Sequence, residues 1–422
     1  MSRHPRRAAA LALAALLALA GCSKGSATKD SSEGGVTTIH YLTFSAAPDH
    51  LKDLDDIKAA FEKTNPDIKI QVQTAAYKDY FTQLQTSIAG GTAPDTFELD
   101  YGNFVTYAQA GSLADLAGPA ANDKTWQPSV LASSALDAFK RDGKQYALPE
   151  SFSTVVLIYN KALFDAAGVT YPTKDWKWSD ETAAAQKLTD KGKGVYGDFQ
   201  PVTYNEFYKS VSQAGGSFLS ADGKKATFNS AEGVAAAKWL IGKPGSTMPT
   251  LTEVGGTPDF DTNLFKSGKL AMWHNGNWQF DALKDVPFGW DVVVEPGDTQ
   301  RASAVFQNGV AVSAQSGHKD AAFKWLNYLT TSEQSVKSRI SSSWELPPLA
   351  DASKLSGYLD IKPPANRQAV MDALGKQSLQ PVVAKQQQMQ DIVDKALTQA
   401  AGGADLQKTL DDAAQQVTAL LS

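Results

Sequence analysis

At 422 residues the chain is too long for one ordinary hydrophobic core, so two domains are expected. Charged residues at 20% and hydrophobic residues at 42% are those of a globular protein and exclude global disorder. The formal charge of −5 is mildly acidic and gives no reason to expect a nucleic-acid partner.

Arg3, Arg6 and Arg7 precede the apolar run AAALALAALLALA, which stops at Leu19-Ala20-Gly21-Cys22. A basic start, a short apolar stretch and small residues at its end are the parts of a secretory signal, and the run is too short for an anchored spanning helix. The Leu-Ala-Gly-Cys box resembles the lipobox of bacterial lipoproteins. That resemblance implies residues 1–21 as signal peptide, cleavage before Cys22, a lipid on the Cys22 thiol and a second lipid signal, since one acyl chain holds only marginally. Cys22 is the only cysteine, so an internal disulfide is excluded. Without the leader the 40 basic residues fall to 37 against 45 acidic ones, a charge of about −8.

Residues 22–35 are small and polar and predict a flexible tether. Ile39 to Phe44 reads as a strand, followed by helical spacing of Leu51, Leu54, Ile57 and Phe61. Alternation at Ile68, Ile70 and Val72 predicts a half-exposed strand. Tyr77, Tyr80, Phe81, Leu84 and Ile88 form one stripe of a helix that Gly90-Gly91 would end. A short strand over Thr96 to Leu99 then leads into a helix ending near Gly111. Strand-helix units of this kind build a parallel sheet, and ligands of such sheets sit at the strands' carboxyl ends. Those ends are Phe44-Ser45 and Glu98 to Asn103, the latter also readable as an ordinary turn.

The apolar run Val155 to Tyr159 predicts a strand buried on both faces, with Pro149 marking a break and a hinge before it. Lys161 to Ala167 reads as a helix ending at Gly168, and Ser179 is placed to cap a helix over Asp180 to Lys191. Further helices are expected at Thr203 to Ala214 and Ser230 to Ile241. In LFKSGKLAMWHNGNWQF, Leu264 to Phe280, a helix ends at a Ser267-Gly268 turn, a short strand follows, and a turn through Asn275-Gly276-Asn277 opens another helix. Asn275 and Asn277 are side-chain hydrogen-bond formers flanked by the flat faces of Trp273 and Trp278, a pairing suited to a polar ring molecule and equally to a core corner. Strands at Gly289 to Val294 and Val310 to Ser313 flank a break at Pro296-Gly297. Helices follow at Lys319 to Leu329 and Ser332 to Ile340, then a loop carrying Trp344 and Glu345, and two amphipathic helices split by Gly402-Gly403.

Several motifs carry no chemistry. Gly192-Lys193-Gly194-Val195-Tyr196-Gly197 matches GxGxxG but follows a helix and does not open one after a strand. Gly21-Cys22-Ser23-Lys24-Gly25 satisfies GxSxG across the signal cleavage point. The five histidines lack HExxH or cysteine partners, so no metal and no cofactor is implied. Asp53, Asp55 and Asp56 read as solvated charge on a helix. Glycosidase chemistry needs two carboxylates, which Glu98, Asp100 and Glu150 could supply, but no motif assigns their roles.

The stretches FEKTNPDIKIQVQT, QLQTSIAGGTAPDTFEL, YALPESFSTVVLIYNKALFDAAGV, LFKSGKLAMWHNGNWQF and GVAVSAQSGHKDAAFKWLNYLTTSEQ together resemble the extracellular solute-binding proteins of sugar ABC transporters, the group that includes maltose-binding protein. The resemblance spans the mature chain. It implies an α/β, two-lobed periplasmic-binding-protein type 2 fold with a hinge and an interlobe cleft that closes on its solute. One lobe would comprise residues 36–149 and 297–341, the other 150–296 and 342–422. It places Trp278 against a sugar ring. Asn275, Asp100, Asn103 and Glu150 are then candidates for the hydroxyl-binding rim, and Phe44, Tyr101, Trp273 and Trp344 for the cleft wall. The chain departs from maltose-binding protein at DYGNF after TAPDTFEL, so maltose is not carried over. The implied role is capture of a sugar and delivery to permease subunits by a monomeric, lipid-anchored receptor, not an enzyme. A polyamine on the same fold, or a surface carbohydrate-active enzyme, stands as the alternative.

Overall fold

The computed structural model describes residues 35–421 apart from 46, 256, 258 and 343. The expected signal peptide, Cys22 and the tether up to residue 34 lie outside the described residues.

The strands are β1 (Thr37–Thr43), β2 (Ile68–Thr74), β3 (Thr96–Asp100), β4 (Lys140–Arg141), β5 (Lys144–Gln145), β6 (Ala147–Asn160), β7 (Tyr196–Phe199), β8 (Leu270–Gly276), β9 (Trp290–Val293), β10 (Ser303–Val312) and β11 (Gln377–Leu379). Apart from the β4–β5 pair they form one sheet in the order β2-β1-β3-β10-β6-β8-β7, with β11 on β10 and β9 on β6. β1 pairs in parallel with β2 and β3, because each is followed by a helix that returns the chain across the sheet.

β6 and β10 join two halves of this sheet. Ala147 to Thr154 of β6 pair antiparallel with β10, and Val155 to Asn160 pair with β8 and β9. On one side of that change, Ile39, Tyr41, Phe61, Val310, Phe323 and Trp325 fill one face of the sheet, and Leu42, Phe97, Leu99, Phe104 and Ala311 fill the other. Beyond it, separate clusters gather around Phe207, Leu240 and Val393 and around Val156, Ile158 and Trp273. Each lobe thus has its own core, and the crossing strands lie between them.

Pro149 does not break the chain before β6; it lies within the strand. Asn308 pairs with Ser151 and Gly309 with Pro149, which leaves Glu150 as the extra residue of a bulge. A proline cannot donate to the ladder, and a bulge accommodates that missing donor while re-aiming its neighbour's side chain.

The helix Trp178–Leu188 begins before Ser179, so Ser179 is no cap; Asp180 Oδ2 instead accepts from the Lys177 amide at 2.8 Å. The expected helices Lys161–Ala167, with Gly168 at φ 63°, and Glu333–Ser341, capped by Ser332, do form. The GxGxxG stretch is a turn leading into β7. A Cβ on Gly197 would lie 2.0 Å from the Ala185 carbonyl oxygen, so this glycine serves close helix-to-sheet packing. Asp55 and Asp56 are exposed, but Asp53 is only half-exposed, and burial is the main cause that pushes its carboxyl up.

Candidate functional site

β8 decides the orientation of the tryptophan stretch. Side chains alternate along a strand, and Trp273 and Asn275 share one side, where both donate to Asp261 Oδ2, at 3.1 and 3.3 Å. Trp273 is fully buried and stacked on Phe265, so it is core rather than wall. Asn275 is half-buried, and its own Oδ1 accepts from the Gly276 amide at 2.8 Å. The turn after β8 opens only a short 3-10 segment, Asn277–Gln279, not a longer helix. Asn277 is buried and ties the turn to the crossing strand, its Oδ1 accepting from the Thr154 amide at 3.0 Å.

Trp278 is half-buried. Its ring lies against Gly276, on which a Cβ would sit 1.8 Å from Cζ3. Its ring centre is 5.8 Å from that of Phe306 on β10, in an edge-on contact. Gly276 has φ −92° and ψ 168°, which any residue adopts, so glycine is required here by space alone.

The other lobe contributes the ends of β1 and β3. Asp100 caps the helix Tyr101–Gln109: its Oδ1 accepts from the Asn103 amide at 2.7 Å, and its Oδ2 accepts from Asn103 Nδ2 at 2.9 Å and from the Tyr77 hydroxyl at 2.8 Å. Burial raises the Asp100 carboxyl, opposed by these donors. Asn103 is therefore engaged in the cap. Tyr101 is half-buried, edge-on to Phe139, and Phe44 is half-buried, edge-on to Tyr77 and Tyr80. Tyr77 is 46% exposed although it heads the same helical stripe as the buried Tyr80 and Phe81.

Across from this corner stands the helix Tyr204–Gln213. Burial pushes the hydroxyls of its Tyr204 and Tyr208 far up, so they are neutral. Besides burial, the Asp100 charge raises both. The Tyr208 hydroxyl has no partner among the described residues. Between the lobes, Asp100, Tyr101, Ala138, Val305, Phe306, Gln307, Leu379 and Gln380 line a pocket of about 160 Å³. A larger surface groove of about 860 Å³, beside Lys174 to Lys177 and Met371 to Lys376, contains none of these tyrosine, tryptophan or Phe306 side chains.

Glu150 and Trp344 occupy the buried base, not the rim expected of Glu150 or the wall expected of Trp344. The bulge turns Glu150 onto Arg339, with which it forms an ion pair, and the Arg339 guanidinium lies 4.1 Å over the Trp344 ring. Trp344 also stacks on His50 at 4.8 Å and is 2% exposed. Glu345 accepts from Asn308 Nδ2 at 2.9 Å, and Glu98 accepts from the Thr43 hydroxyl at 2.5 Å. Burial first, then the charges of Glu150 and Glu345, holds Glu98 well above the ordinary carboxylate range.

Glu206, His274 and Glu295 bring ligand atoms within 4.8 Å of one another, a spacing that could attract a metal. Lys209 Nζ already lies 2.5 Å from both carboxylates, so an ammonium meets their charge.

Of the residues singled out for the site in the sequence, Asp100 and Tyr101 line the pocket of about 160 Å³, Trp278 packs on its Phe306, and Phe44 packs on Tyr77, whose hydroxyl reaches Asp100; Tyr77, Tyr204, Tyr208 and Phe306 were not singled out. The stripe that contains Tyr77 reads as uniformly apolar, and no local pattern announces the other three.

A family model described as bacterial extracellular solute-binding protein matches residues 47–336. The chain belongs to that family. Among solved structures, this solute-binding protein is similar to an ABC substrate-binding protein from Listeria monocytogenes in complex with cycloalternan. The two are 46% identical with a TM-score of 0.85, over 90% of this chain and 97% of that one. It is 27% identical to an uncharacterized lipoprotein of Streptomyces antibioticus, over 82% of this chain and 77% of the relative. It is 25% identical to a maltodextrin-binding protein of Bacillus subtilis, over 76% and 74%.

Proposed function

We propose that this solute-binding protein is the extracytoplasmic sugar receptor of an ABC importer, taking an oligosaccharide between its lobes and delivering it to permease subunits. The observation that carries this reading is the 46% identity, across nearly all of both chains, to the Listeria protein in complex with cycloalternan. Trp278 supports it from the geometry: half-buried, backed by a glycine and edged by Phe306, it offers one ring face to a pyranose. Tyr77, Asp100, Tyr204, Tyr208 and Gln380 would supply donors and acceptors for hydroxyls from both lobes, so that solute favours closure because only the closed form presents both sets.

The lobes would be divided at 36–149 with 297–341 and 150–296 with 342–422, with β6 and β10 as crossings. The receptor would act as a monomer, without cofactor or covalent chemistry. Asp100 is engaged as a helix cap and Glu150 in an ion pair, which leaves neither poised as acid or base. A lipid on Cys22 would hold it beside the permease.

The test is calorimetric titration of the chain lacking residues 1–35 with cycloalternan, linear maltodextrins and spermidine. Saturable binding of one sugar class, weakened at least tenfold in a folded Trp278→Ala variant, is expected. Binding of spermidine alone would replace the solute class, and product formation from an oligosaccharide would restore the enzyme reading. Cys22→Ser in the full chain is expected to move it out of the membrane fraction.

A further inference from the structure

Seven charged side chains form a continuous buried chain behind the platform strand. Glu206 Oε2 lies 2.5 Å from Lys209 Nζ, which lies 2.5 Å from Glu295 Oε1. Glu295 Oε1 is 2.7 Å from His274 Nδ1, and His274 Nε2 is 2.8 Å from Glu181 Oε1. Glu181 Oε1 is 2.7 Å from Lys243 Nζ, which is 2.8 Å from Asp198 Oδ2. None of the seven side chains is more than 9% exposed, and their signs alternate along the chain when His274 is charged.

His274 is the only link in this chain of a residue type whose unperturbed pKa lies near neutrality. Both its ring nitrogens face carboxylate oxygens, which only accept hydrogen bonds. A neutral imidazole carries one N–H and would set a lone pair against one carboxylate, so the contacts require the imidazolium. Burial disfavours that charge, but Glu181 and Glu295 outweigh burial and raise the ring above its ordinary pKa. Lys243 and Lys209, the next cations along, each lie one carboxylate away, on Glu181 and Glu295, and the Trp239 ring stands edge-on to the imidazole at 6.1 Å. Deprotonation would change the buried charge of four acids and three bases from −1 to −2.

The chain's two attachments give it a role beyond stability. His274 sits on β8 two residues before Gly276, the floor of the Trp278 ring. Glu206 and Lys209 sit on the helix that carries Tyr204 and Tyr208. We propose that His274 is a positioning residue for the solute site, its imidazolium clamping the Trp278 strand to the tyrosine helix. This rests on the sugar-receptor reading for its consequence but not for its geometry.

The test uses the mature full chain labelled with 5-fluorotryptophan, the Trp278 resonance being assigned by Trp278→Phe, and carbon-13-labelled histidine. The His274 ring is expected to be charged at pH 7. His274→Gln at pH 7 should move the Trp278 fluorine resonance, and His274→Gln with Glu181→Gln, which removes the excess negative charge, should return it towards its original position. If the wild-type ring titrates below pH 10, the Trp278 resonance should shift with the same midpoint. Cycloalternan affinity should weaken by about 10-fold in His274→Gln, a coupling of usual size. A ring that is neutral at pH 7, or a folded His274→Gln whose Trp278 resonance stays in place, overturns the proposal. Absence of any sugar binding would count against the receptor reading and leave the fluorine result to decide this one.

Discussion

Gly276→Ala isolates the role of the Trp278 platform with a single methyl group. The backbone there tolerates alanine, but the new Cβ would meet Trp278 Cζ3, Cε3 and Cη2 at 1.8, 2.0 and 2.2 Å. Carbon atoms pack at about 3.5–4.0 Å, so the ring must withdraw by roughly 2 Å. Withdrawal costs the edge-on contact with Phe306, about 0.5–1.5 kcal/mol for such a pair. It also removes the face available to a sugar, and aromatic anchors at binding sites contribute about 2 kcal/mol or more. The expected loss of affinity is about 2 kcal/mol, roughly 30-fold in Kd. Overpacking adds a stability loss of about 1–3 kcal/mol. Calorimetric titration reads the affinity and scanning calorimetry the stability. In a Trp278→Ala background the same methyl has no ring to displace and should change Kd by less than about twofold, since the two effects share one cause. The reasoning fails if Gly276→Ala binds sugar with unchanged Kd, or if it costs as much affinity without Trp278 as with it.

Lys209→Met should destabilise the protein by about 3–5 kcal/mol in urea unfolding, because Glu206 and Glu295 are left buried beside a thioether. An equal stability of variant and wild type at pH 7 would contradict that account. Glu181 is buried, which alone would raise its carboxyl, yet the charges of His274 and Lys243 lower it to about 2. A depressed carboxylate stabilises the fold above its unfolded pKa of about 4.3 and loses that contribution as pH falls towards about 2. Acid unfolding followed by circular dichroism should therefore show a slope between about pH 4.3 and 2 that Glu181→Gln makes shallower; an unchanged slope would remove Glu181 from the account.

Much of the fold was legible because its signals are local. The alternation of Ile68, Ile70 and Val72, the αL glycine after Ala167 and the Ser332 cap each depend on neighbours within a few residues. Pro149 misled for the same reason: its missing donor is a local fact, but whether a strand stops there depends on whether Asn308 and Gly309 can shift register opposite it. Trp273 and Trp278 carry the same chemistry five residues apart. Only the pairing of β8 with β6 and β7 turns Trp273 into the core, and only Gly276 opens a bed for Trp278.

The candidate site was less legible. Phe44, Asp100 and Tyr101 could be named because strand ends of an α/β sheet face its ligand, a rule that needs only the order of elements. Glu150 and Trp344 look in sequence like rim and wall residues of a cleft, yet Arg339, 189 positions beyond Glu150, draws the carboxylate into the base. The sequence by itself determined the strand-helix alternation, many of the turns and the family. The tertiary structure alone decided that Trp273 is buried while Trp278 lies against Phe306, that the Tyr77 hydroxyl reaches Asp100, and that His274 links two lysines through carboxylates in one buried chain. Those outcomes are decided by packing between segments that lie on different elements, where side-chain chemistry is necessary but the choice of neighbour is made by the sheet order.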